Sequence, residues 1–169
     1  GSELKESLRP VYRNNDGAHM EKNWVWFEHN ECIYFIYQCH PQQIIVRWSG
    51  QLEEELTTEA PSWYYGPIKG GTPPIPYEGK LLRFFHSTLD NDMMPPRRTY
   101  FSGALLMEPK PPFKIVAVSK RPIITGSHVD DLKVKDRPKH WKAKVVFPAG
   151  AVQRPWGWLL SLGVNDCEI

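Results

Sequence analysis

From position 23 onward the chain alternates short apolar, aromatic runs with tight polar breaks. Asn23-Trp-Val-Trp-Phe27 is followed by Glu28-His-Asn-Glu31, then by Cys32-Ile-Tyr-Phe-Ile-Tyr-Gln-Cys39, which Pro41 ends. Gln43-Ile-Ile-Val-Arg-Trp48 comes next and stops at Ser49-Gly50. These runs are too short, too β-branched and too aromatic for helices, so the pattern predicts three consecutive strands joined by short turns, a meander. Glu53-Glu-Glu55 reads as a solvated outer strand or loop, because same-sign carboxylates side by side repel and prefer water.

The same grammar recurs further on. In Lys69-Gly-Gly-Thr-Pro-Pro-Ile-Pro-Tyr-Glu-Gly-Lys-Leu-Leu-Arg-Phe-Phe-His-Ser87, glycines and prolines make an irregular approach. A tight Glu78-Gly79 turn then delivers a strand that carries His86 to its end. After the polar loop from Asp90 to Arg98, Tyr100 to Met107 predicts a strand with small residues in its middle, where another backbone could pass closely. Phe113 to Ser119 alternates as a half-buried strand and completes a second four-stranded meander. His128 to Lys144 is polar and charged and reads as a linker, after which Val145 to Val164 repeats the strand–turn–strand plan of 24–39 and 71–87.

Meanders of about 50 residues in succession are the mark of a β-propeller, in which each blade buries its faces against a neighbour. The predicted fold is all-β, a partial propeller of roughly two and a half four-stranded antiparallel blades. Such a set cannot close a ring whose usual minimum is about four, so completion by dimerisation is expected. Residues 1–20 read as a tag remnant (Gly1-Ser2) and polar lead-in, and 21–169 as a single domain with blades at about 21–60, 61–125 and 140–169.

Composition narrows the function. At 169 residues the chain has enough material for a real core, and sixteen prolines with 12% aromatic residues favour strands and constrained turns over helices. A net charge of +2 without a basic stripe argues against nucleic acid as a partner. Neither a signal peptide nor an apolar run long enough to span a bilayer stands out, so a membrane partner is not expected. Cys32, Cys39 and Cys167 show no metal spacing and leave one unpaired in any disulfide scheme; Cys32 and Cys39, in one apolar run, read as free buried thiols, and a reducing, cytoplasmic setting is expected. His29, His40, His128 and His140 likewise show no metal spacing; no metal or cofactor is expected. Trp24, Trp26, Trp156 and Trp158 could stack on sugar faces, although packing is the commoner use of aromatics between blades.

Candidate chemistry begins with Lys69, a basic residue before paired glycines, and His86 at a strand end. Together they suggest a site for an anionic or polyhydroxylated ligand. An ordered series of motifs extends this: Lys69-Gly-Gly-Thr-Pro-Pro-Ile, Leu82-Arg-Phe-Phe-His-Ser87, Tyr100-Phe-Ser-Gly-Ala-Leu-Leu, Arg121-Pro-Ile-Ile, Val145-Val-Phe-Pro-Ala-Gly150 and Gly163-Val-Asn-Asp166. The series resembles the later blades of the five-bladed β-propellers of glycoside hydrolase family 130, the β-mannoside phosphorylases and hydrolases, and relatives labelled glycosyltransferases. Glu21-Lys-Asn-Trp24 fits the preceding blade, so the likeness covers about 21–169.

The resemblance implies a carbohydrate and phosphate ligand held by Lys69, His86, Tyr100 and Asp166, with Arg97 and Arg98 adding positive charge. It also implies a departure. The family's aspartate acid and a phosphate-binding arginine belong to earlier blades that this chain does not match. The expected function is therefore a carbohydrate- or phosphosugar-binding propeller fragment without its catalytic acid. The alternatives are an interaction module that forms a homo-oligomer, or a glycosidase or phosphorylase active on assembly with Asp90, Asp92 or Asp166 as the acid.

Overall fold

A computed structural model describes residues 23–90, 98–126 and 145–164. Among these residues the chain is all-β, a series of antiparallel sheets arranged as a partial β-propeller. The first sheet is a meander of β1 (Val25–His29), β2 (Cys32–Gln38), β3 (Gln42–Trp48) and β4 (Leu52–Glu59), paired in sequence order. Its first turn is a two-residue loop, Asn30-Glu31, with both φ angles positive (49° and 60°), the backbone that matches the twist of the flanking strands. The three consecutive glutamates lie on β4, exposed, as like charges side by side require.

The second sheet contains β5 (Ile75–Tyr77), β6 (Lys80–Asp90), β7 (Arg98–Met107) and β8 (Ile115–Val118). Glu78 and Gly79, with φ of 46° and 72°, form the tight turn between β5 and β6. A two-residue strand, β9 (Ile124–Thr125), adds a fifth member by pairing with Phe101 and Ser102, beyond the part of β7 that β8 occupies. Sequence pattern did not predict it, because two residues after Pro122 are too few to show alternation. The third unit is the hairpin of β10 (Val146–Arg154) and β11 (Gly157–Val164).

The three sheets stack face to face through β6, whose residues Leu81 to Thr88 are all buried. Alternation sends Leu81, Arg83 and Phe85 to one face and Leu82, Phe84 and His86 to the other. On the first face, Leu81, Phe85, Leu105, Met107 and Phe113 form one core with Val25, Phe27, Tyr34, Ile36 and Ile45 of the first sheet. Phe113 is fully buried there, edge-on to Phe27 and Tyr34, while its carbonyl accepts a 2.9 Å hydrogen bond from the Gln43 side chain. On the second face, Phe84 and Tyr77 meet Trp158, and His86 meets Phe147. Trp24, Trp26 and Trp158 thus pack on other rings, whereas Trp156 sits exposed at a hairpin tip.

Two close approaches depend on glycine. A Cβ on Gly71 would lie 2.1 Å from the Phe84 carbonyl oxygen, so the segment before β5 rests directly on the backbone of β6. Gly103 is crowded differently from expectation. A Cβ there would meet the rings of Trp63 and Phe85 and the Ser119 hydroxyl, at 2.6, 2.7 and 3.0 Å, not a passing backbone. Gly71→Ala is therefore expected to cost about 3 kcal/mol through overpacking against backbone that cannot give way. Gly150→Ala, whose new methyl meets only Ser161 Cβ at 3.7 Å, should change stability by less than about 0.5 kcal/mol. Urea unfolding of both variants checks this, and equal losses at the two positions would contradict it.

Candidate functional site

The segment from Lys69 to Thr72, with its paired glycines and the two prolines that follow, is not a regular strand, yet it hydrogen-bonds to β6 like one. The Lys69 amide donates to the His86 carbonyl (2.8 Å), the His86 amide to the Gly70 carbonyl (3.1 Å), and the Thr72 amide to the Phe84 carbonyl (2.9 Å). This clamp sets Lys69 beside His86 in the second half of β6; the strand continues four residues beyond His86 to Asp90, so His86 lies within it and not at its end as the sequence suggested. A recess of about 250 Å³ opens there, lined by Asn23, Lys69, His86, Arg98, Tyr100, Val145 and Phe147.

Four residues that the sequence singled out, Lys69, His86, Tyr100 and Arg98, therefore share one recess. Arg97 and Asp166 lie outside the described residues, as does Asp92. Each partner is placed by an identifiable contact. The Lys69 ammonium donates to the Thr88 hydroxyl at 2.8 Å, which holds the long side chain along β6. His86 is buried, with its ring stacked 6.1 Å from Tyr100 at 17° and 6.0 Å from Phe147. Its Nδ1 lies 2.6 Å from the Gly70 carbonyl oxygen. A carbonyl only accepts, so Nδ1 carries a proton and Nε2 is the nitrogen whose protonation state can vary.

Arg98 faces Asp90 across the last rung of the β6–β7 ladder, with Nε to Oδ1 at 2.6 Å and Nη2 to Oδ2 at 3.1 Å. The hydrogen bonds from Arg98 hold the Asp90 carboxyl below the usual carboxylate range; burial opposes this, and the positive charges of Arg98 and Lys69 add to it. Asp90 is thus an ionised partner at neutral pH and is poorly suited to donating a proton.

Three features escaped the sequence reading. Asn23, with φ of 65°, enters the recess because Gly70 lets it; a Cβ there would sit 2.5 Å from the Asn23 carbonyl oxygen. Val145 and Phe147 supply an apolar wall from the third unit. Arg83 is fully buried beneath the clamp. It donates through Nη2 to the Lys69 carbonyl at 3.1 Å and lies 3.4 and 3.5 Å from the Cys39 sulfur. Among the described residues no carboxylate pairs with Arg83. Its charge adds to the positive field under the recess while it ties the Lys69 loop to the first sheet. An arginine inside an apolar strand was the available signal, but only burial on both faces of β6 gives it meaning.

What this arrangement can do chemically is hold an anion or a cluster of hydroxyls. Lysine and arginine offer charge, histidine and asparagine offer directed hydrogen bonds, and tyrosine and phenylalanine offer apolar surface. Among the described residues, none that lines the recess is a carboxylate.

No family model matches this sequence, and no curated protein matches it. Among solved structures, a Bacteroides ovatus ATCC 8483 protein, provisionally assigned as a glycoside hydrolase and solved as a crystal structure at 1.85 Å, matches with a TM-score of 0.61 at 14% identity. The match covers 88% of this chain and 49% of the neighbour, so the chain spans about half of that protein's length and shares its fold.

Proposed function

We propose that the chain is a carbohydrate- or phosphosugar-binding propeller fragment, related to the β-mannoside phosphorylases, and that the Lys69–His86 recess is its binding site. The observation that carries this reading is the convergence of Lys69, His86, Arg98 and Tyr100 on one cavity. The fold shared with a provisionally assigned glycoside hydrolase supports a carbohydrate-related role. The absence of a carboxylate from the described lining, and the ion pair that keeps Asp90 charged, favour binding over glycosidic cleavage, which needs a proton donor at the bridging oxygen.

A second reading, an assembly module that forms a homodimer, is favoured by the ends of the sheet stack. Trp26, Ile33 and Leu52 on the first sheet are 41%, 50% and 44% exposed; Val152, Trp156 and Leu159 on the last hairpin are 48%, 73% and 52% exposed. Apolar patches of this kind mark contact surfaces. The two readings are compatible, because a stack that pairs through its ends keeps the recess at the ends of its strands.

Titration with mannose 1-phosphate, inorganic phosphate and mannobiose tests the first reading. Lys69→Ala and His86→Ala should each weaken binding of the phosphorylated sugar about tenfold, the loss of one charge-assisted hydrogen bond. Tyr100→Phe should weaken it by only a few fold. No binding of any of the three compounds would sink the reading, and turnover of an aryl mannoside would replace it with an enzymatic one.

Asp90 gives a pH-dependent test. Its folded-state pKa is depressed, so its contribution to stability is present above the ordinary carboxylate pKa and is lost as pH falls through the lower folded value. Acid titration followed by carboxyl carbon NMR should show Asp90 ionising below the ordinary range. Asp90→Asn should release Arg98 from neutralisation and tighten phosphate binding several-fold at neutral pH, as read by calorimetry. For the second reading, light scattering should find a dimer that Trp26→Glu combined with Leu159→Glu converts to monomer; a monomeric wild-type chain at high concentration would count against it.

A further inference from the structure

The first sheet is apolar on both of its faces. Packing places Val25, Phe27, Tyr34, Ile36 and Ile45 on the face toward β6. By strand register, Trp26 with Phe35, Ile33 with Trp48 and Trp48 with Leu52 therefore share the opposite, outward face. A sheet face that meets water ordinarily turns polar. This one instead has a small core of its own, with Phe35, Ile44 and Val46 buried among Trp24, Tyr37 and Trp48. That is the pattern of a layer with a neighbour on each side.

The last hairpin shows the same property at the other end of the stack. Val146, Trp158 and Val164 face inward, against Tyr100, Ile124 and Phe84, while Val152 and its cross-strand partner Leu159 point outward. The two outward faces differ in charge. Glu28, opposite Ile33, and Glu55, opposite Val46, stand exposed on the first sheet's outward face. Arg154, two residues along β10 from Val152, stands exposed on the hairpin's outward face.

We propose that two copies of the chain close a ring head to tail, the outward face of each first sheet seated on the outward face of the other copy's last hairpin. The inference rests on the homodimer reading and assigns its geometry. The contact continues the order inside the chain, where each later sheet lays its earlier-facing side on the sheet before it. It brings Glu28 and Glu55 toward Arg154, whereas pairing like ends sets glutamates against glutamates, or Arg154 against Arg154. Two such contacts, related by a two-fold axis, leave no apolar end open. The ring then holds six sheets, within the four to eight blades of known propellers. This fold occupies 49% of the Bacteroides ovatus neighbour, so two copies together match a chain of that length.

The test is complementation between two variants of the full chain, followed by light scattering and analytical ultracentrifugation. Trp26→Glu and Leu159→Glu each change a side chain that is about half exposed, so both should keep the wild-type circular dichroism. Ile33→Glu is the second choice for the first face. Alone, each variant should raise the dimer dissociation constant at least tenfold, because both contacts of its dimer then contain a buried glutamate. An equal mixture of the two should recover a heterodimer: one of its contacts joins the two unaltered faces, and the other collects both substitutions. Arg154→Glu should weaken the dimer several-fold, and added salt should weaken the wild-type dimer in the same direction. A variant that dimerises as well as wild type would show that like ends pair, which overturns the head-to-tail ring and leaves the homodimer reading standing. No heterodimer on mixing, or open polymers in place of a dimer, would overturn the ring equally. A monomeric wild-type chain at high concentration would remove the homodimer reading and this inference with it.

Discussion

The structure depends on β6 being covered on both faces. Its backbone carries three roles at once: it pairs with β7 along ten residues, with β5 at its start, and with the irregular Lys69–Thr72 segment further along. Its side chains divide between two cores, with Leu81 and Phe85 against the first sheet and Phe84 and His86 against the last hairpin. A strand buried this way has almost no freedom to shift register, because a slip of one residue would exchange its two faces and put Phe85 or Ser87 where His86 stands. The position of His86 is in that sense a property of the whole stack.

Function inherits that rigidity. Lys69 sits on a loop, but three backbone hydrogen bonds, the Gly71 contact and the Arg83 side chain hold the loop against β6. His86 is oriented by the carbonyl of the same loop, and Arg98 by the last rung of the ladder that β6 forms with β7. The cationic groups of the recess are thus positioned by backbone contacts and by the Thr88 and Asp90 side chains rather than by one another. Such preorganisation lowers the conformational cost of binding, since little ordering remains to be done when a ligand arrives. The buried Arg83 has a cost of its own, because a guanidinium out of water needs partners, and a carbonyl with a thiol sulfur is a sparse set. Its position beneath the cationic groups of the recess adds positive charge there.

The strands were legible because their local chemistry is consistent. Tight turns at Asn30-Glu31 and Glu78-Gly79, β-branched and aromatic runs, and alternation in 115–118 all point to antiparallel hairpins, and those hairpins form. The acidic run on β4 had to face water wherever its strand lay. β9 was not legible, being two residues long and selected by the free edge of β7. The expectation for Gly103 erred for a related reason: a small residue signals close approach, but whether backbone or ring approaches is a matter of which sheet packs there.

By itself, then, the sequence determined the strand class, the turn chemistry and two candidate ligand groups, because these follow from backbone sterics and side-chain type within a few residues. Only the tertiary structure decided that Lys69, His86, Tyr100 and Arg98 meet in one recess, that Asn23 and Phe147 join them, and that Arg83 lies beneath. Those relations join residues from three different sheets, and they arise when apolar faces that no single hairpin can bury are pressed against one another.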